Sequence, residues 1–132
     1  MKRTAYLAGA IQGFLAVALG AFGAHALEDV LLINGYTDVY ETGSRYHLIH
    51  SLLLLGLGLM LERGESRWLR IAVVACTIGV TIFAGSLYLL STLNIPQLGA
   101  ITPVGGLGML LAWLSIFIHF LTQKKQTTSD PL

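Results

Sequence analysis

WLRIAVVACTIGVTIFAGSLYLLSTL, residues 68–93, is the stretch whose reading decides the fold, and Arg70 near its start is its only charge. A helix crosses the hydrocarbon core of a bilayer with about 20 mostly apolar residues, and this run is longer than that. The rest of the chain has the same character. Charged residues make up 11% of the sequence, against about a quarter in an ordinary soluble domain. Water cannot solvate such a surface, whereas lipid can. At 132 residues the expectation is a single domain occupying the whole chain.

Three further runs qualify as spans. The first covers about 4–24 and holds no charge. The second, 46–61, is short by itself, but an amphipathic stretch before it lengthens the predicted helix to about 38–62. The fourth covers 103–121, and 122–132 reads as a flexible cytoplasmic tail. The first run has a rival reading as a signal peptide, with Lys2 and Arg3 as its basic start and Ala24-His25-Ala26 as a small-residue cleavage site. Its apolar length exceeds the 7–15 residues typical of such signals, and Gln12 interrupts it, so a retained transmembrane helix is expected.

The expected fold is therefore all-α: an up-down membrane bundle of four helices, with a short amphipathic segment in the first outer loop. Lys2, Arg3, Arg63, Arg67, Arg70, Lys124 and Lys125 fall on one side of it, and only Arg45 on the other. Basic residues are held on the cytoplasmic side, which predicts a multi-pass protein of the cell (plasma or inner) membrane with both ends cytoplasmic. Eight basic residues without a long run exclude a nucleic-acid footprint. Cys76 is the single cysteine, so neither an intrachain disulfide nor a cysteine-built metal centre is available.

The connections have readable chemistry. Residues 27–33 predict a short amphipathic helix, and Asn34-Gly35 a turn. Glu41 and Arg45 stand at i,i+4 in the favourable order for an ion pair. Thr102-Pro103 predicts an N-cap followed by proline at the first helical position. Residues 94–101, with Pro96 and Gly99, predict a link too short and irregular for an element of its own, joining the last two spans as a tight hairpin.

In lipid, helices associate through small residues and a few polar contacts. Stripes of this kind run along the first span (Gly9, Gly13, Ala16, Gly20, with Gly23 nearby) and the fourth (Gly105, Gly108, Ala112, Ser115). They predict close backbones and little room for a wide pore. A four-helix interior is limited, so some small-residue faces are expected to meet a second copy of the chain or another membrane protein.

The polar residues supply the candidate sites. Gln12 lies roughly 12 Å into the first span at 1.5 Å per residue, and a midplane amide needs a partner. Thr77, Thr81 and Ser115 come from comparable depths, and the contact reads either as a bond between helices or as a substrate or ion site. His25 ends the first span, while His47 and His50 share one face at the start of the second. Together with Tyr46, Ser86 and Tyr88 they form a candidate outer-side binding group. These histidines can bond to free helix-end carbonyls, carry protons, or ligate a metal or haem. His-x-x-His alone lacks the glutamate of the zinc hydrolase motif, so no metal and no cofactor is assigned. His119 reads as an interfacial anchor. Neither a catalytic triad nor paired carboxylates within the spans emerge, and no enzymatic activity is expected.

Several runs occur together: Gly20-Ala-Phe-Gly-Ala-His25, Tyr46-His47-Leu-Ile-His50-Ser51, Phe83-Ala-Gly-Ser-Leu-Tyr88, Ile101-Thr-Pro-Val-Gly-Gly106 and Ala112-Trp113. In combination the chain, from about Ala5 to Leu121, resembles domain-of-unknown-function family four-two-three, small four-span integral membrane proteins of bacteria with a small animal relative. The resemblance implies a multi-pass membrane protein without an established activity, so it transfers no catalytic residues. The leading expectation is a non-enzymatic structural, lipid-binding or partner-binding protein. An oligomeric transporter or channel is the first alternative, and a metal, haem or quinone protein using the outer histidines the second.

Overall fold

Every long apolar run becomes a helix because a backbone in hydrocarbon must satisfy its own polar groups. The computed structural model describes residues 1–123, and the predicted tail from 124 onward lies outside them. Four helices are long and apolar enough to cross a membrane: α1 (Lys2–Ala24), α3 (Thr37–Arg63), α4 (Arg67–Leu93) and α5 (Thr102–Thr122). The short α2 (Glu28–Asn34) lies in the first connection. The weak second span is thus the membrane part of a helix that begins before it, at Thr37.

Their order in space follows their order in the chain. α1 packs on α3, α3 on α4 and α4 on α5, and among the described residues α1 and α5 share no seam. The bundle is open, with α4 as its hub: 56% of its most apolar window is buried, against 11% for α1. The outward faces of α1 and α5, carrying Phe14, Val17, Leu107 and Leu110, present side chains that lipid solvates.

Two clusters fill the interior. Toward the end holding the α3–α4 turn, Ala5, Leu54, Leu57, Leu61, Leu69, Ala72, Val73, Cys76 and Ala112 pack together. Toward the other end, Leu31 of α2 packs with Tyr40, Ala84 and Tyr88. α2 closes on Gly35, whose φ of 73° is the left-handed conformation that glycine adopts without a Cβ penalty. Asn34 does more than begin this turn. Its side-chain amide donates to the carbonyls of Ser91 (2.9 Å) and Thr92 (3.3 Å), satisfying acceptors that the end of α4 would leave open.

Three local expectations are corrected. Residues Pro96–Ala100 form a 3₁₀ helix, so the link does hold an element of its own. Thr102 is not a side-chain cap: its hydroxyl pairs with Ser86 Oγ at 2.7 Å and reaches the Leu98 carbonyl at 3.4 Å, because the preceding 3₁₀ turn already brings those groups to it. Glu41 and Arg45 form no ion pair. Among the described residues the ion pair present joins the Met1 amino group to Glu65 at 3.6 Å.

The α4–α5 seam is built on absent side chains. A Cβ on Gly79 would lie 2.7 Å from Met109 N and 2.9 Å from the Gly105 carbonyl, and one on Gly108 would lie 2.8 Å from Gly79 Cα. Backbone meets backbone there, the close approach that small residues permit in membranes. Ala112, Ser115 and His119 continue the buried face of α5.

Candidate functional site

The polar residues of the spans sort into two groups on opposite flanks of α3. Gln12 of α1 donates from Nε2 to Thr81 Oγ1 of α4 at 2.6 Å, and its Oε1 lies 2.7 Å from His47 Nε2 of α3. With the amide oriented that way, His47 Nε2 carries the proton. Nδ1 then accepts from the Tyr88 hydroxyl at 3.1 Å. Thr81 in turn donates to the Thr77 carbonyl at 2.7 Å. The result is a directed chain of hydrogen bonds tying α1, α3 and α4 together, in which each donor has an acceptor. Thr77 and Ser115, the other expected partners of Gln12, instead bond back to the carbonyls of Val73 and Leu111 in their own helices.

His50 faces the other flank. Its Nδ1 donates to the Tyr46 carbonyl at 2.8 Å, and its Nε2 accepts from the Trp113 indole at 3.3 Å. The Cys76 thiol reaches the His50 carbonyl at 3.7 Å, so both the ring and the backbone of this residue are held. His25 joins neither group. It lies exposed at the end of α1, and among the described residues no group of three His, Cys, Asp or Glu side chains is placed to hold a metal ion. His119, read as an anchor near the end of the last span, is buried there. Its ring contacts Ser66 Oγ at 3.0 Å and Gln123 Nε2 at 3.0 Å, because the α3–α4 turn reaches under the end of α5.

The small residues of α1 serve α3. Gly13 faces Ser51 and Gly20 faces Ser44, while Gly23 leaves the hollow that the Tyr40 ring fills. Tyr40 uses this position to donate its hydroxyl to the Leu19 carbonyl at 2.5 Å.

A cleft of about 560 Å³ opens beside His50, lined by Tyr46, His50, Phe83, Pro103, Gly106 and Trp113 among others. That volume lies within the usual range of ligand pockets. The Tyr46 and Phe83 rings pack 5.1 Å apart, tilted at 47°, and His50 meets Trp113 edge-on at 6.4 Å. The wall is aromatic and aliphatic, and the polar atoms of its His–Trp pair are already spent on each other. Tyr46 and His50 belong to the candidate outer-side group read from the sequence. For Phe83, Gly106 and Trp113 the signal in the sequence is that each stands in one of the motif runs. Ser86 and Tyr88 lie away from this cleft, Ser86 on Thr102 and Tyr88 on His47.

Four apolar spans around a tightly packed interior define the class: a four-helix integral membrane protein. The comparisons narrow it. The family model described as "Protein of unknown function (DUF423)" matches residues 19–106, and the chain belongs to this family. It is 40% identical over 117 residues to the UPF0382 membrane protein YwdK of Bacillus subtilis (strain 168), covering 83% of this chain and 89% of that one. It is 35% identical over 122 residues to the UPF0382 inner membrane protein YgdD of Escherichia coli (strain K12), covering 91% of each. No solved structure matches.

Proposed function

We propose that this protein is a non-enzymatic lipid-binding scaffold, whose cleft beside His50 takes an apolar chain from the surrounding membrane. The cleft itself carries the reading: about 560 Å³ of aromatic-walled space with its one buried imidazole satisfied on both nitrogens. A pocket with spent polar groups favours hydrocarbon, since a polar ligand would have to break those bonds. His47 supports the same reading, because its two nitrogens are likewise occupied in holding helices together.

A phospholipid carrying a diazirine in its acyl chain tests this. Photolysis in membranes is expected to label the cleft around Leu107, Leu110 and Trp113, and Leu110→Trp, which fills the cleft from its rim, is expected to abolish that label. Labelling spread evenly over all exposed faces would overturn the proposal.

The basic residues argue that both termini face the cytoplasm of a plasma or inner membrane. Reporter fusions at each end check the orientation: a cytoplasm-dependent fluorophore is expected to be bright at both, and a reporter active only outside the cytoplasm to be silent at both.

A further inference from the structure

A second hollow of about 610 Å³ runs along a different flank of α5. Its floor is one face of α4, with Val74, Ile78 and Ile82 at helical spacing, and its wall is Val104 and Leu111 of α5. At one end stand Arg67 and Arg70, both exposed. From Arg67 to Ile82 the groove runs roughly 22 Å at 1.5 Å per residue, which exceeds the roughly 15 Å of one leaflet's hydrocarbon. It is therefore long, apolar and open to lipid, with positive charge at one end only.

The charge is available at that end. Arg67 stacks over the Trp68 ring at 5.2 Å, a geometry that steadies the guanidinium while leaving its N–H edge open. Among the described residues neither arginine is in an ion pair, and the nearby Glu65 is engaged by the Met1 amino group. The groove continues past the Gly79–Gly108 contact, where the absence of side chains lets α4 and α5 form a smooth floor.

We infer that this groove holds one acyl chain of an anionic phospholipid, with the lipid phosphate between Arg67 and Arg70. A zwitterionic lipid offers the same chain but carries its own cation, which the two arginines repel. The groove is separate from the cleft beside His50, and the inference does not rest on the reading of that cleft. A basic residue near a membrane surface favours an anionic lipid by about fivefold.

The test is native mass spectrometry of the full chain released from nanodiscs of phosphatidylglycerol and phosphatidylcholine in equal parts. The retained lipid is expected to be chiefly phosphatidylglycerol. R67Q/R70Q is expected to reduce that preference by about fivefold for each arginine removed, whereas R67K/R70K should keep most of it. Ile78→Trp fills the groove and is expected to abolish the preference for phosphatidylglycerol, leaving only lipid retained elsewhere without regard to headgroup. Leu110→Trp, in the other cleft, is expected to leave the preference unchanged, so the two lipid proposals fail separately. Equal retention of the two lipids by the unaltered chain would overturn the inference. So would a preference that survives R67Q/R70Q or Ile78→Trp.

Discussion

The seam between α4 and α5 and the seam between α1 and α3 both use glycine, and they use it differently. Along α4–α5 the hollows left by Gly79, Gly105 and Gly108 are filled by backbone atoms of the facing helix. Along α1–α3 the hollow of Gly58 is filled by the ring of Tyr6, and that of Gly23 by the ring of Tyr40. A backbone cannot move aside without moving its whole helix, whereas a tyrosine can turn. The first seam therefore fixes a distance between helices and the second a fit between side chains. Each seam also carries a polar tie, Gln12 to His47 in the second and the Ser86–Thr102 hydroxyl pair at the end of the first.

The largest expected effect breaks the first seam. In Gly105→Ala the new methyl would lie against Phe83 backbone and 2.7 Å from the Gly79 carbonyl, and a cost of about 3 kcal/mol or more is expected, at the upper end for overpacking. Gly58→Ala should cost far less, about 1 kcal/mol or below, because Tyr6 can give way and alanine is the better helix former by about 1 kcal/mol. Unfolding of both variants in mixed detergent micelles measures the gap. Equal losses would show that the seams do not differ as described.

The polar tie sharpens the comparison at intermediate size. A double-mutant cycle on Gln12→Leu and His47→Leu is expected to give a coupling of about 0.6 kcal/mol and at most about 1.7, the range measured between membrane helices. The same cycle on Gln12→Leu and His50→Leu should give none, since His50 turns to Trp113 instead. The smallest effect is expected from Thr102→Val, about 0.5 kcal/mol at the low end for a hydrogen bond, because Ser86 keeps its bond to the Phe83 carbonyl. A loss as large as that of Gly105→Ala would mean that the hydroxyl pair, and not the glycines, sets the seam.

How much of this was readable in the residues depended on distance along the chain. The four spans were legible because a bilayer demands length and apolarity, both local properties. Helix α3 was legible only as a weak span plus an extension, since its first turns carry Asp38, Glu41 and Arg45. The partner of Gln12 was narrowed to three hydroxyls of similar depth, and helix crossing selects Thr81. Crossing geometry was not legible. Spacing put His47 and His50 on one face, yet their rings diverge to opposite flanks because α1 offers Gln12 on one side and α5 offers Trp113 on the other. His25 looked close in depth and is instead held at an exposed helix end. Beside Gly35, Asn34 has the local signature of a turn residue, and nothing local reveals carbonyls 57 and 58 residues away.

That last contact has a consequence for the order of events during synthesis. The acceptors of the Asn34 amide belong to the third span, so they do not exist when the first two have been made. At about 5–20 residues per second, the ribosome needs roughly 3–12 s to travel from Asn34 to Thr92. For that interval α2 can lean on Tyr40 of α3 but lacks every contact to α4, and the first two spans must stand as a hairpin with their connection only half docked. The amide closes only after α4 has crossed, so its hydrogen bonds mark the moment at which the third span is in register with the first two.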